Sequence, residues 1–202
     1  MHNQLRLFID RMMTPLGGLI LLSDEFGNLR AVDWTDHEQR MRRLLTQHYR
    51  ATHVTMEPSR NPFGLTSALE SYFGGDLECL QSLSVSTAGT VFQRSVWQSL
   101  RSIPAGETIS YSILAKRLGQ PAAVRAVGLA NGANPVSIVV PCHRVIGANG
   151  SLTGYAGGLQ RKQWLLDHER KHSNAVLGRN RHVSQTARPA VVREIAAPAP
   201  VA

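Results

Sequence analysis

The sequence has little cysteine, fewer acidic than basic residues, and no long apolar run. Two cysteines, Cys79 and Cys142, are too few for a disulfide framework and fit a reducing compartment. The opening residues lack the apolar stretch of a secretory signal. No apolar run approaches the roughly 20 residues that a membrane-spanning helix needs. We therefore expect a cytoplasmic protein that does not associate with membranes.

The charge balance is basic, with 22 Lys and Arg residues against 14 Asp and Glu residues and a formal net charge of +8. Such an excess serves solubility, but it also favours a polyanionic partner, because clustered basic side chains displace counterions from phosphates. The chain has 202 residues, of which 43% are hydrophobic. That length can form one large domain or two small ones around a real core.

The first part of the chain predicts a small α/β module. Two strand-like runs, 18–23 and 29–34, lie either side of a short glycine-containing loop and predict a β-hairpin. A polar, arginine-rich helix is expected at 37–49, and a second helix at 66–73, where two glycines end it. This module, residues 1–86, contains no recognisable chemical motif.

The second part, residues 87–171, opens with a helix whose apolar face is formed by residues four apart. These are Phe92, Val96 and Leu100. Two short helices follow, the first capped by a serine at 110 and ended by a glycine at 119, and the second running over 121–131. Two short helices around a tight turn resemble a helix-turn-helix. Spacing alone favours an ordinary helical hairpin over a helix-turn-helix.

The remainder of the chain mixes a predicted strand, a loop and a helix. The β-branched run at 136–140 is typical of a buried strand. A glycine-rich loop at 147–158 leads into a last helix from about 159 to 169. Residues 172–202 are rich in Arg, Ala and Pro and lose the apolar pattern, so we expect a disordered tail.

Cys142 and His143 are adjacent and directly follow the predicted strand. A thiol reacts as its thiolate, and a nearby base helps to form it. Neighbours in a strand point to opposite faces, so the two side chains would have to meet through a turn or a bridging water. A buried structural cysteine stays open as an alternative. No paired Cys/His spacing accompanies them, so we expect neither a metal nor a cofactor.

The last helix carries a carboxylate on an apolar face. Lys162, Leu165, Leu166 and Glu169 lie at i, i+3, i+4 and i+7 and therefore share one side. A buried carboxylate needs a partner, and His143 is a candidate because Glu169 could then hold and polarise its imidazole. A salt bridge at the exposed end of the helix is the open alternative.

The order of the motifs in the second part is more specific than any one of them. They are Arg125-Ala126-Val127-Gly128, Asn134-Pro135, Pro141-Cys142-His143-Arg144-Val145-Ile146, Gly154-Tyr155-Ala156-Gly157-Gly158, Lys162, Trp164-Leu165-Leu166 and His168-Glu169. With these motifs the sequence resembles the O6-alkylguanine-DNA alkyltransferase family, in its small constitutive bacterial form. The resemblance is strong from about residue 90 to 169 and weaker through the N-terminal module.

The resemblance implies both a fold and a reaction. The fold is an α/β N-terminal module followed by a mainly α domain with a helix-turn-helix of winged-helix type. The reaction is direct reversal of DNA damage, in which an alkyl group moves irreversibly from O6-alkylguanine, and also from O4-alkylthymine, to Cys142. The damaged base is first flipped out of double-stranded DNA, and each protein molecule acts once. We expect a monomer, and cooperative binding to DNA stays open.

The resemblance also implies catalytic roles. Cys142 corresponds to the alkyl acceptor, His143 to the base that deprotonates it through a water, and Glu169 to the group that orients the histidine. Tyr111 corresponds to a tyrosine that helps to turn the nucleotide and donates to the guanine ring. Asn134 corresponds to an asparagine that braces the turn before the acceptor.

Further positions are implied to bind DNA or the flipped base. Arg125 corresponds to a finger that enters the base stack, and the Val145 carbonyl to an acceptor for the guanine amine. Ala156 stands where many members have serine. Its backbone N–H can still donate to the guanine oxygen, but the contribution of the serine hydroxyl is missing. Small residues would let the second helix of the pair enter the minor groove. The other positions that the resemblance implies to bind DNA or the flipped base are Tyr155, Lys162, Ala126, Ala130 and Gly132.

Three other functions are weighed against this one. A DNA-binding relative without transfer activity would lack the acceptor cysteine, whereas Cys142 is present. A transcriptional regulator of this kind would carry a cysteine-rich zinc module. A Cys-His hydrolase would turn over repeatedly, whereas a thioether on Cys142 would be stable.

Overall fold

The computed structural model describes residues 4–50 and 52–186, with side chains to residue 173. Its N-terminal part is a four-stranded mixed sheet in the order β3-β2-β1-β4. Strand β1 pairs antiparallel with β2 and parallel with β4, while β2 pairs antiparallel with β3. The strands are β1 (Gln4–Thr14), β2 (Gly17–Asp24), β3 (Leu29–Trp34) and β4 (His53–Pro58).

The predicted hairpin is confirmed as β2 and β3, with Leu21 opposite Val32. Strands β1 and β4 were not predicted. In β1 the signal was present, because Leu5, Leu7 and Ile9 alternate with polar or less buried positions along the strand.

Helices make up most of the rest of the described chain, and each helix predicted from the sequence is found. They are α1 (Glu38–His48), α2 (Leu65–Phe73), α3 (Val91–Arg101), α4 (Tyr111–Arg117), α5 (Val124–Gly132) and α6 (Leu159–Thr186). Two short strands, β5 (Ile109–Ser110) and β6 (Val145–Ile146), pair with each other in parallel. Within the described residues, no helix combines the length and apolarity needed to cross a membrane.

The sheet buries both of its faces. One face packs against α1 in a small cluster. The other forms the main core with the C-terminal helices, including Trp34 of β3, Trp97 of α3, Val127 of α5 and Leu165 of α6. Fully burying a side chain of this size contributes about 1.5–3 kcal/mol. The predicted boundary between residues 86 and 87 stays a prediction, and the main core includes residues from both sides of it.

Local signals fix the starts of α3 and α4. Thr90 accepts a hydrogen bond from the Gln93 N–H at 3.1 Å, and the Gln93 side chain accepts one from the Thr90 N–H at 2.9 Å, which is a capping box. Ser110 caps α4 by accepting from the Ile113 N–H at 3.2 Å. Gly119, with φ of +70°, then turns the chain towards α5.

The strand predicted at 136–140 is wrong. The segment is buried, as expected, but it folds as a turn in which Ile138 adopts a φ of +72°. The Asn134 side chain holds that turn, since its Nδ2 donates to the Val140 carbonyl at 2.8 Å and its Oδ1 accepts from the Val136 N–H at 3.0 Å. A run of β-branched residues predicts that a segment is buried but does not determine its conformation. Here the hydrogen bonds from the Asn134 side chain to the backbone favour a turn.

The predicted end of the last helix near Glu169 is also wrong, because α6 continues to Thr186 and enters the range assigned to a disordered tail. Two contacts stabilise the turn of α6 that follows Glu169. His172 packs against His168 with ring centroids 4.4 Å apart, and Ser173 donates to the Ala105 carbonyl at 3.0 Å. The next proline after Pro141 is Pro189, so none interrupts α6. Residues 187–202 of the predicted tail lie outside the described residues.

Candidate active site

The acceptor candidate Cys142 lies in a 3₁₀ turn, Cys142–Arg144, directly after the turn that replaces the predicted strand. Its side chain is buried, with 4% of the residue exposed. Burial raises the pKa of the Cys142 thiol, although a hydrogen bond from Asn134 and the charges of Arg40 and Lys162 oppose that shift. The thiol is therefore protonated at neutral pH in the free protein, and a base is needed to activate it.

His143 has the geometry of such a base. Its Nε2 lies 2.8 Å from Oε1 of Glu169, and both side chains are fully buried. Because a carboxylate only accepts, Nε2 carries the proton, and burial lowers the pKa of His143 so that the imidazole is neutral. Its Nδ1 is then a buried acceptor with no protein partner in the described part of the chain. That lone pair is available to take a proton.

Glu169 accepts hydrogen bonds from several elements at once. Arg144 donates from Nε to Oε2 at 2.9 Å and from Nη2 to Oε1 at 2.8 Å. Tyr72 of α2 donates to Oε1 at 2.8 Å, and the Gly106 N–H donates to Oε2 at 3.1 Å. Burial alone would raise the pKa of Glu169, but His143 and Arg144 outweigh it and hold that pKa well below its usual range. The carboxylate is therefore ionised and fixed in orientation.

This arrangement confirms the buried face predicted for the last helix. Lys162 and Leu165 are fully buried, Leu166 is nearly so, and Glu169 is 0% exposed. The alternative of a salt bridge at an exposed helix end does not describe Glu169, since its partners surround it inside the protein.

Tyr111 begins α4 beside this cluster and is half-buried. Its hydroxyl lies 3.3 Å from the Thr153 carbonyl and 3.4 Å from the Gly154 carbonyl. Burial raises the pKa of Tyr111, so the phenol keeps its proton at neutral pH. The side-chain nitrogen of the buried Asn131 lies 3.4 Å from both the Tyr111 hydroxyl and the Cys142 carbonyl. Tyr111 is thereby placed, with a proton to donate, next to the turn Cys142–Arg144, which we call the acceptor turn.

Lys162 ties the acceptor turn to the glycine-rich loop. Its fully buried ammonium donates to the Val145 carbonyl at 2.6 Å and to the Thr153 carbonyl at 2.7 Å. Burial lowers the pKa of Lys162 to about 8. The Val145 carbonyl, predicted as an acceptor for the guanine amine, already accepts from Lys162, but a carbonyl oxygen has a second lone pair.

The loop carrying Tyr155 and Ala156 packs on the N-terminal sheet. A β-carbon at Gly157 would lie 2.3 Å from Nε1 of Trp34, so only glycine permits this approach. The Tyr155 ring meets the His143 ring edge to face, with centroids 6.5 Å apart. Ala156 is partly exposed, which leaves its backbone near solvent.

The exposed face of α5 includes Arg125, Ala126 and Gly132. Arg125 makes no hydrogen bond or ion pair with any residue that the structure describes. The prediction that Ala130 lies on this face is wrong. Ala130 is 3% exposed and belongs to the core, and its carbonyl accepts from Nε1 of Trp97 at 2.9 Å. The helix turns 100° per residue, so Ala130 lies beside Val127 on the inner side.

Sequence reasoning missed four residues that hold the site: Tyr72, Gly106, Asn131 and Arg144. Arg144 was part of a quoted motif but was assigned no role. Tyr72 lies 97 residues before Glu169, and nothing in its local pattern distinguishes it from an ordinary core tyrosine. Asn131 could have been noticed, because a polar residue interrupts the inner face of α5.

Comparison with known proteins gives a consistent result. A family model described as 6-O-methylguanine DNA methyltransferase, DNA binding domain, matches residues 91–171. A methylated-DNA–protein-cysteine methyltransferase of Salmonella typhimurium is 54% identical over 165 residues, which cover 82% of this chain and 96% of the relative. One of Methanosarcina acetivorans is 44% identical over 156 residues, or 77% and 94% of the two chains.

Solved structures are also similar. The Mycobacterium tuberculosis OGT in complex with DNA matches with a TM-score of 0.65 and 38% identity, covering 84% of this chain and 94% of that one. An O6-methylguanine-DNA methyltransferase of the archaeon Pyrococcus kodakaraensis matches with a TM-score of 0.60 and 25% identity, over 81% and 98% of the two chains.

Proposed function

This chain belongs to the O6-methylguanine-DNA methyltransferase family, and on that premise we propose how its residues carry out the reaction. The protein reverses alkylation damage in DNA by moving an alkyl group from the O6 atom of guanine to one of its own cysteines. We assign the acceptor to Cys142. The transfer is stoichiometric, because the thioether that forms cannot be hydrolysed back to the thiol.

One observation carries this assignment: a buried thiol, an ionised carboxylate and a neutral imidazole whose Nδ1 has no partner among the described residues occur together. Glu169 fixes the tautomer of His143, and Nδ1 is left free to accept a proton from the Cys142 thiol through a bridging water. A positioned base of this kind typically contributes about 100- to 10,000-fold to the rate. Cys142 needs that help, because burial raises its pKa.

The transfer is a single displacement at the alkyl carbon. The thiolate sulfur attacks the alkyl carbon and forms the S–C bond, while the C–O6 bond breaks and its electron pair goes to the guanine. Tyr111 donates to the guanine ring, and the Ala156 N–H donates to O6, so the guanine is a better leaving group. The Val145 carbonyl accepts from the exocyclic amine and favours guanine over other bases. The net proton lost by the thiol is gained by the guanine.

DNA binding is assigned to α4 and α5, which we propose to form a helix-turn-helix of winged-helix type. In this proposal α5 is the recognition helix, and its exposed face meets the DNA. Glycines at 128 and 132 and Ala126 allow close approach to a groove, and Leu129 is 73% exposed. Arg125 on the same surface has no protein partner in the described chain, which suits a side chain that fills the space left by the flipped base. Flipping costs a few kcal/mol, and a filled gap reduces that cost.

The test is the mass of the protein after incubation with duplex DNA that contains one O6-methylguanine. We expect one added methyl group per molecule, located on Cys142, with a plateau near one equivalent. The Cys142→Ala variant should bind DNA without gaining mass, and Cys79→Ala should react like the wild type. Repeated turnover, or methylation elsewhere in the chain, would refute the assignment.

Two further measurements test the second predicted substrate and the oligomeric state. Duplex DNA with O4-methylthymine tests the second predicted substrate, for which we expect transfer at a lower rate because the contacts to the guanine amine are lost. Sedimentation of the free protein and of its DNA complex tests the predicted monomer and any cooperative binding.

A further inference from the structure

An ion pair from the N-terminal module lies against the corner between α5 and the acceptor turn. Arg40 of α1 pairs with Asp33 of β3 at 2.6 Å, and the two side chains are only 14% and 1% exposed. The same guanidinium donates to the Gly132 carbonyl at 2.7 Å and to the Asn134 carbonyl at 2.9 Å. One side chain thus connects the sheet, the end of α5 and Asn134, whose side chain holds the turn that precedes Cys142.

The chemistry of this corner suits a guanidinium. The last carbonyls of a helix have no partner inside the helix and carry partial negative charge, so a cation there is stabilising. Gly132 is the last residue of α5, and its carbonyl is one of these groups. Backbone bonds complete the attachment: the Val32 N–H donates to the Pro135 carbonyl at 2.9 Å, and the Ser137 N–H donates to the Val32 carbonyl at 2.8 Å.

Arg40 also belongs to the charges that act on the Cys142 thiol. Two cations favour the thiolate: Arg40 from α1, which stays charged, and Lys162 from α6, whose pKa burial lowers to about 8. Asp33 from β3 opposes them more weakly than Arg40 does. The other titratable neighbours are His143 in the turn, which is neutral, and Tyr111 of α4 and Tyr155 of the loop, which keep their protons. The N-terminal module therefore supplies one of the two cations near the acceptor.

We propose that Arg40 is a positioning residue of the transfer reaction, which fixes the acceptor turn relative to the recognition helix and places a permanent positive charge near the Cys142 thiol. This inference rests on the proposed function of Cys142. It gives the N-terminal module, which carries no chemical motif, a direct part in the reaction. Two separate losses follow when Arg40 is replaced, one of charge and one of attachment.

The loss of charge is measured with free O6-benzylguanine, which needs no DNA and no base flipping. The rate of benzyl transfer to Cys142 is followed by mass spectrometry from pH 5 to pH 10. We expect Arg40→Met to move the midpoint of the pH–rate profile upward by roughly half a unit to one unit, the effect of one partly screened charge. Arg40→Lys keeps the charge and should keep the wild-type midpoint. Peptide mapping separates a benzyl group on Cys142 from one on Cys79, whose pKa burial raises to about 11.

The loss of attachment is measured with duplex DNA at saturating concentration. Arg40 reaches Asp33 with Nη1 and the two carbonyls with Nη2, whereas lysine offers one donor atom on a shorter side chain. Arg40→Lys should therefore slow transfer from duplex O6-methylguanine about 10-fold or more while its reaction with the free base changes little. The matched control is Arg43→Met, which removes the same charge from an exposed position three residues along α1. Arg43→Met should change neither the midpoint of the pH–rate profile nor the rate of transfer from duplex DNA.

Thermal unfolding of each variant shows whether it is folded at the assay temperature. If Arg40→Met does not fold, Arg40→Gln replaces it, since glutamine removes the charge but can still donate to one carbonyl. An unchanged midpoint in the neutral variant, or equal losses on duplex and free base in Arg40→Lys, overturns the inference. A wild-type protein that accepts no alkyl group overturns the proposed function instead.

Discussion

Replacing Glu169 with glutamine tests the proposed proton relay, from Cys142 through a water to His143 and Glu169, together with the structure around it. The carboxylate accepts two hydrogen bonds from Arg144 and one each from His143, Tyr72 and the Gly106 N–H. Glutamine has nearly the same shape but no charge, so the buried guanidinium loses its counter-ion. Breaking a buried ion pair from one side costs about 3–5 kcal/mol. In a chain of this size that lowers the melting temperature by roughly 6–20 °C.

The effect on the reaction should be separate from the effect on stability. At a temperature where the Glu169→Gln variant is folded, we expect transfer to slow by about 100- to 10,000-fold, because His143 loses the group that fixes its tautomer. DNA affinity should be nearly unchanged, since Glu169 is 0% exposed and cannot contact DNA. Single-turnover kinetics with duplex O6-methylguanine and a binding titration measure the two quantities.

The pH dependence gives an independent check with a definite sign. The pKa of Glu169 is held below its usual range in the folded protein. Such a group contributes its full stability above its unfolded pKa of about 4.3, and that contribution is lost as the pH falls below this value. The difference in unfolding free energy between wild type and Glu169→Gln should therefore be constant near neutrality and narrow below about pH 4.

A matched control is Asp167→Asn on the same helix. Its ion pair with Arg170 is more than half exposed, so the substitution should change stability by less than about 1 kcal/mol and leave transfer intact. A wild-type transfer rate in Glu169→Gln would refute the relay. A stability difference that stays the same down to pH 3 would refute the ionised, depressed state of the carboxylate.

Four further changes test other parts of the structure. Arg125→Ala should slow repair of duplex O6-methylguanine far more than transfer from free O6-benzylguanine; equal losses would point to damage in the pocket. Truncation after Ser173 should leave single-turnover transfer nearly unchanged but lower the salt dependence of DNA binding, whereas a failure to fold would make the later residues structural. Tyr72→Phe should cost about 1.5–3 kcal/mol in denaturant unfolding, with little change in transfer because Arg144 still holds Glu169. Gly157→Ala should destabilise by about 1–3 kcal/mol, since its β-carbon would overlap Trp34; a melting temperature equal to wild type would contradict that packing.

The sequence by itself determined the elements whose signals are local. The hairpin at β2 and β3, the serine cap of α4 and the apolar face of α3 depend on residues within a few positions of one another. The buried face of α6 was also predictable, because Leu165, Leu166 and Glu169 follow the helical period. The pairing of His143 with Glu169 was expected as one of two open alternatives, and the structure brings the two side chains to 2.8 Å.

Only the tertiary structure decided the features that depend on distant partners. The segment at 136–140 is apolar enough for a strand, yet Asn134 and β3 hold it as a turn. Ala130 lies on the same helix as Arg125 but packs inward, because Trp97 of α3 meets that side. Tyr72 and Arg40 reach the site across 97 and 94 residues of sequence. A local pattern fixes which face of an element is apolar, but which groups meet across that face depends on how the elements pack.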